Sequence, residues 1–372
     1  MKLKTLLFGT LGALLLTGAL TACDNNNEPH SKVTLPEHRA FILYEGVWNS
    51  NNAGIAFYAP DKNANPNIIA NLYQLQNNKG LGDVAQDIVA SGNELFVTVS
   101  NSRRLVKLNK DGVELASLSF SQADGDPRYM TAKDGKLYVT LYSGQVARIN
   151  AATMEIEAYV KVGDRPEHIA ELNGKLYVSD TKDIYGTGTQ VNVVDIASFT
   201  KEKDIDVIQN PHQLLPVAGD MYLISWGNWG VPTLGGDYTL QRIKADGTVE
   251  NVALAKDMAY DNGIIYLDYV KEEWEHDPET NKSTLISRES FLATYNTKTH
   301  EFSDQSFVKD APAELFSSFI YGINIDPANG DIYLTTTDYT TTGDVYRFKN
   351  DGTFIEKFDC GGINPNKIIF PE

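Results

Sequence analysis

One short phrase recurs along the chain and leaves few folds open to it. Leu95-Phe96-Val97, Leu137-Tyr138-Val139, Leu176-Tyr177-Val178, Met221-Tyr222-Leu223, Ile265-Tyr266-Leu267 and Ile332-Tyr333-Leu334 are copies of one strand pattern. Ile42-Leu43-Tyr44 is a degenerate seventh copy. From aromatic to aromatic the spacings are 42, 39, 45, 44 and 67 residues, the last stretched by an insertion over residues 270–289. Self-similarity at a fixed period means that each copy belongs to a small unit that buries its apolar face only against its neighbours.

The rest of each unit is equally regular. A tight turn precedes the phrase, as at Asp134-Gly135, Asn173-Gly174, Asn262-Gly263 and Asn329-Gly330. Such dipeptides supply the positive φ angles of two-residue hairpins. A further strand follows, such as Val146-Ala147-Arg148-Ile149 or Val345-Tyr346-Arg347-Phe348, and ends at turns such as Asp111-Gly112, Asp246-Gly247 or Asp351-Gly352. A more polar strand then leads to Pro127, Pro166 or Pro211, where the unit restarts. Four antiparallel strands per unit, with no helical periodicity, predict an all-β, seven-bladed β-propeller. The segment Pro365-Asn366-Lys367-Ile368-Ile369-Phe370 reads as the opening strand of a unit with nothing after it, whereas Phe41-Ile42-Leu43-Tyr44 begins at a second strand. The C-terminal strand is therefore expected to complete the first blade and remove an open edge. One propeller domain over residues 38–372 follows, with a β-helix or a sandwich as the alternatives.

The N-terminus reads as an address. Lys2 and Lys4 precede an apolar run from Leu6 to Leu20, and Leu20-Thr21-Ala22-Cys23 follows. That pattern describes a lipoprotein signal over residues 1–22, with Cys23 as the lipidation site, or else an ordinary secretory signal beside a chance cysteine. Residues 23–37 read as a lipidated flexible tether, polar at first through Asp24-Asn25-Asn26-Asn27-Glu28-Pro29. Without residues 1–22 the chain carries 30 basic and 49 acidic residues, a net charge of −19. Nucleic-acid backbones, which need clustered Lys and Arg, are poor partners for such a surface.

Candidate functional residues come from the irregular loops. In a four-stranded blade, the loop between the second and third strands and the link to the next blade share one face. Those loops hold Trp48 and Asn49, Arg103 and Arg104, Tyr142, Tyr185, Trp226, Asn228 and Trp229, Tyr269 and Trp274, and Tyr339. All four tryptophans of the chain are thus expected in loops of one face. The links add Gln86-Asp87, Arg128-Tyr129, Glu167-His168, His212-Gln213, Tyr260, Tyr321 and Asn366-Lys367. Rigid amphipathic aromatics beside polar groups describe a recognition surface. The alternatives are tryptophans that plug the blade ends and polar groups that bridge neighbouring blades. His168 and His212 with Glu167 fall short of a metal-ligand set, so neither a metal nor a resident cofactor is expected. No nucleophile elbow, P-loop or dinucleotide fingerprint is present, so a binding protein is expected rather than an enzyme, with a secreted hydrolase or lactonase left open.

The Leu-Tyr-Val strands after Asn-Gly or Asp-Gly turns, the Pro-Glu-His-Ile type of link and the lipoprotein signal together resemble the YncE-like seven-bladed propeller surface lipoproteins of Bacteroidota. The resemblance covers essentially the whole chain after the signal, and is nearest to the family's cobalamin-binding branch. It implies a lipid-anchored protein of the outer membrane, facing the cell exterior. Such a protein binds cobalamin or a related corrinoid on one propeller face and passes it to a TonB-dependent outer-membrane transporter of the BtuB type. A surface glycan or a protein partner is the alternative ligand. The family's motifs specify the fold and not the ligand, so the candidate residues rest on the loop argument alone.

Overall fold

The computed structural model describes residues 30–230 and 232–371. The expected signal segment, Cys23 and the first residues of the expected tether lie outside them. The described chain forms seven antiparallel sheets of four strands each. Blade 2 is typical, with strands Ala85–Ser91, Glu94–Val99, Arg104–Asn109 and Glu114–Ser119. Innermost strands of successive blades lie against one another around a complete ring, and Pro365–Ile369 of blade 1 touches Ala85–Ser91 of blade 2. Blade 1 takes its innermost strand from the C-terminus, pairing Phe41 with Ile369 and Ile42 with Ile368, and Phe41–Tyr44 also pairs with Gly54–Phe57 on its other side.

Alternation along the recurring phrase builds the core. Successive side chains of a strand point to opposite faces, and in a propeller both faces are covered by neighbouring blades. Leu137 and Val139 pack against Phe96 and Leu105 of blade 2, while Tyr138 between them packs against Leu176 and Val178 of blade 4. The same alternation sends Met221 and Leu223 to Val191 and Val193 of blade 4, and Tyr222 to Ile265 and Leu267 of blade 6. The degenerate copy keeps the register, since Leu43 meets Leu95 and Val97 of blade 2 while Ile42 meets Tyr333 and Val345 of blade 7. The hairpin turns behave as their residues require: Asn173 and Gly174 have φ of 52° and 77°, and Asn262 and Gly263 have 47° and 94°.

Two features differ from the expectation. A short helix, Leu72–Asn77, is capped by the Asn71 side chain and sits in the link between blades 1 and 2. Six residues are too few to leave a periodic pattern in the sequence. The insertion in blade 6 is not a loop. Strands Ile264–Asp277 and Lys282–Asn296 run on as one long hairpin, with a bulge between Glu273 and Trp274. The innermost strand of that blade stops pairing at Asp268, and its outermost strand reaches in only to Thr294, so beyond the blade both hairpin edges are unpaired. At the other end of the domain, Val33 and Leu35 pack on the core between blades 1 and 2, and the Gln76 side chain accepts a hydrogen bond from the Lys32 N–H.

Deleting residues 365–372 should open the ring at blade 1. A thermal melt followed by circular dichroism is expected to lose its single cooperative transition; a wild-type melting temperature would show that this strand is not the closure.

Candidate ligand-binding basin

The channel end of each innermost strand presents two consecutive residues. These pairs are Gln86-Asp87, Arg128-Tyr129, Glu167-His168, His212-Gln213, Lys256-Asp257, Tyr321-Gly322 and Asn366-Lys367. In six of the seven blades the ladder register shifts here. A bulge adds one residue to one strand and re-aims side chains, which places both members of a pair toward the channel.

The second member of several pairs holds the ring together. Asp87 accepts the Met130 N–H at 2.9 Å, His168 Nδ1 the Leu214 N–H at 3.4 Å, and Gln213 the Met258 N–H at 2.9 Å. Asp257 accepts the Ile323 N–H at 2.9 Å. Blade 7 has Gly322 in this place, and Asn324 two residues on takes over by accepting the Ile368 N–H at 2.8 Å. Each bond runs from one blade to the innermost strand of the next and satisfies an amide that would otherwise lie unpaired. The bridging role left open in the sequence is therefore real for His168, Gln213 and Asp87.

Around the pairs lies a cavity of about 710 Å³. Its walls are aromatic: Trp48, Trp226, Trp229, Tyr238, Phe319, Tyr321 and Tyr339. Trp48, Trp229 and Tyr339 are about half exposed or more, at 63%, 49% and 48%, so their rings are free to meet a ligand. Trp226 is different. It stacks on His212 at 3.6 Å, packs against the core between blades 5 and 6, and donates its indole N–H to the Lys256 carbonyl. Phe319, Tyr321 and Tyr339 form a second aromatic group, each ring within 6.4 Å of the others.

The floor is polar and internally compensated. Arg128 reaches Glu167 of the next blade with Nη2 at 2.5 Å and Nε at 3.1 Å, and also donates to Gln86. Tyr142 donates to Glu167 at 2.5 Å, and its ring lies between the Arg128 and Arg165 guanidinium groups. Burial alone would raise the Glu167 carboxyl, but the Arg128 charge and these hydrogen bonds hold it down at about 2. Burial pushes His168 down to about 3 and His212 to about 4, so both imidazoles are neutral at physiological pH. Lys367 pairs with Asp87 at 2.6 Å, and Lys256 lies 3.5 Å from Asp268. Burial, reinforced by nearby Asp257, raises Asp268 to about 7 despite that lysine. Burial likewise raises Glu45, which accepts from Tyr321 at 2.8 Å and Asn366 at 3.2 Å. Arg128, Lys256 and Lys367, the cationic groups of the lining, each have an acidic side chain within 3.5 Å.

Of the residues expected from the loops and links, Trp48, Arg128, Tyr129, His168, His212, Trp226, Trp229 and Tyr339 line this one basin, together with Gln86, Gln213, Tyr321, Asn366 and Lys367. Tyr142 lies one layer beneath it, on Glu167. Asn49 and Arg103 are engaged in loop contacts, with the Asp83 and Asp126 carboxylates respectively, and Asn228 bonds Gln209. Arg104 is turned toward Glu114 and the Leu81 carbonyl. Tyr185 is exposed away from the lining, and Tyr269 stacks on Phe291 within the long hairpin. Trp274 is a strand residue on that hairpin, 53% exposed, and its indole bonds Glu272. Tyr260 likewise contributes nothing to the lining. The loop argument passed over Tyr238, Lys256, Asp257, Met258, Phe319 and Asn324. Blades 6 and 7 lack the proline that marks the pair in blades 1, 3, 4 and 5, and of their pair residues the sequence picked out Tyr321 alone. Among the described residues, no three His, Cys, Asp or Glu side chains are grouped to hold a metal ion.

Comparisons with known proteins speak to the fold. No protein-family model matches the chain, and no curated protein is similar to it in sequence. Solved structures are similar. Hydrazine synthase of Kuenenia stuttgartiensis superposes with a TM-score of 0.56 at 16% identity, over 72% of this chain and 77% of that one. A functionally unknown protein from Desulfotomaculum acetoxidans gives 0.56 at 9% identity, over 90% and 99%. Virginiamycin B lyase from Staphylococcus aureus gives 0.53 at 12% identity, over 74% and 84%. The chain is a β-propeller. At these identities the likeness extends to the fold and no further.

Glu167→Gln tests the floor. The folded-state carboxyl at about 2 lies below its ordinary 4.5, so its stabilisation is present above 4.5 and lost as pH falls toward 2. The variant leaves Arg128 buried without its counter-charge, which typically costs about 3–5 kcal/mol. Its melting temperature should fall well below wild type at pH 7, and the gap should close between pH 4.5 and 2; a gap independent of pH would mean that the ion pair contributes nothing.

Proposed function

We propose that this protein is a non-enzymatic surface receptor that captures cobalamin or a related corrinoid in the aromatic basin. The observation that carries this reading is the pairing of two features in one cavity. The walls offer large exposed rings, and the floor offers polar groups whose charges are already neutralised by partners within the protein. Such a site favours a large, flat, uncharged ligand with polar groups at its rim over an anion or a cation. A corrin ring bordered by carboxamides has that chemistry. The sequence resemblance to the cobalamin-binding BtuG type of surface lipoprotein supports the same ligand.

The same resemblance supports a lipid anchor on Cys23, an outer-membrane location facing the exterior, and a TonB-dependent transporter of the BtuB type as the recipient. Exposed tryptophans beside Asn and Asp side chains also suit sugars, so a glycan is the competing ligand.

Isothermal titration of the purified protein with cyanocobalamin tests the reading. Saturable heat at micromolar protein is expected. No heat, together with a hit on a glycan array, would replace the corrinoid with a sugar. Trp229→Ala should weaken cyanocobalamin binding by about 2 kcal/mol, as truncation of an interface hot spot does, and leave the melting temperature within a few degrees of wild type. Trp226→Ala should lower both, because that ring belongs to the core between blades 5 and 6 as well as to the wall. Equal loss of stability in the two variants would assign both tryptophans to the framework.

A further inference from the structure

Two asparagines in the basin lining are each half-satisfied, in opposite senses. Asn324 of blade 7 accepts the Ile368 N–H with Oδ1 at 2.8 Å, which fixes the amide and leaves Nδ2 as the free donor. Asn366 of blade 1 donates with Nδ2 to Glu45 at 3.2 Å, to the Ala85 carbonyl at 3.3 Å and to the Gln86 carbonyl at 2.9 Å. Three acceptors around one nitrogen fix that amide too, and leave Oδ1 as the free acceptor. Both remaining atoms are buried, and neither has a hydrogen-bond partner among the described residues.

The two residues flank Gly322. A Cβ built there would lie 2.8 Å from the Asn366 carbonyl and 3.5 Å from Asn324 Nδ2. The glycine has no positive φ to account for it, so its role is the close approach of blades 7 and 1 at this point. Leaving a buried donor unpaired is costly, and so is leaving a buried acceptor unpaired. Native proteins rarely keep such a pair idle.

We infer that this spot between blades 7 and 1 is a carboxamide subsite. The inference rests on the corrinoid reading and assigns one of the ligand's peripheral carboxamides to it. The ligand C=O accepts from Asn324 Nδ2, and the ligand N–H donates to Asn366 Oδ1. A carboxylate satisfies only the first of these, and it meets Asn366 Oδ1 and the neighbouring Glu45 with like polarity. An ammonium group satisfies only the second. The subsite therefore selects the amide over its hydrolysed acid.

The probes are cyanocobalamin and its separated monocarboxylate isomers, each with one peripheral carboxamide hydrolysed. The variant is Asn324→Asp, which keeps the acceptor for Ile368 and replaces the free donor with an acceptor. In titrations with wild type, one isomer should bind at least about tenfold more weakly than cyanocobalamin, as expected for a buried group left unpaired, and the others should bind nearly as well. Asn324→Asp should lose a similar factor for cyanocobalamin at an unchanged melting temperature, and should no longer single out that isomer. Should the variant melt early, the isomer panel on wild type decides alone. Cyanocobalamin that binds wild type while the isomers are not discriminated would overturn the subsite and leave only ordered water there. Cyanocobalamin that does not bind at all would overturn the corrinoid reading and this assignment with it.

Discussion

The architecture depends on side-chain acceptors that reach from one innermost strand to a backbone N–H of the next. Strands facing a channel have their ladder partners on one side only, and in six of the seven blades the bulge beside the pair removes part of that ladder. Asp87, His168, Gln213, Asp257 and Asn324 answer that deficit. Each such bond is worth only about 1 kcal/mol net, but together they bind neighbouring sheets at the narrowest part of the ring. In Gln86-Asp87 the labour is divided, since Asp87 secures the next blade while Gln86 faces the basin; His168, Gln213 and Asp257 do both. Where the side chain is missing, at Gly322, the duty passes to Asn324.

The acidic surface and the neutral basin are two separate solutions. The chain carries a formal charge of −17, yet the cationic lining groups Arg128, Lys256 and Lys367 each meet a carboxylate on a neighbouring strand or blade. Arg128–Glu167 and Lys367–Asp87 cross a blade boundary and Lys256–Asp268 lies within blade 6, so each of these cations has an acidic partner. Acidic side chains elsewhere are free to serve solubility. Selectivity in the basin is then left to shape, aromatic area and individual hydrogen bonds.

Much of the fold was legible because propeller units repeat. The phrase around Tyr138, Tyr177 or Tyr222 records a strand buried on both sides, and the Asn-Gly turns record the hairpins. Pro127, Pro166 and Pro211 mark where an innermost strand begins, so Arg128, His168 and His212 could be placed at the channel. Lys256 and Asp257 could not, because blade 6 has neither the proline nor the bulge. Trp274 was assigned to a loop because alternation weakens where both faces of a hairpin are wet: Lys271, Glu273, Glu275 and Ser287 surround it. Trp226 shows the limit of composition as a guide, since a loop tryptophan at a blade end can serve core and cavity at once.

The closure of blade 1 has a mechanical side. The first strand, Ala40–Tyr44, lies between Pro365–Ile369 and Gly54–Tyr58, hydrogen-bonded on both flanks. A load that arrives through the N-terminal segment meets the contacts of Lys32, Val33 and Leu35 and then this strand, at its Ala40 end. Two ladders then resist in shear, with their bonds strained together rather than unzipped one after another. The seam of the ring is thus also braced, on both flanks, against tension from that end of the chain.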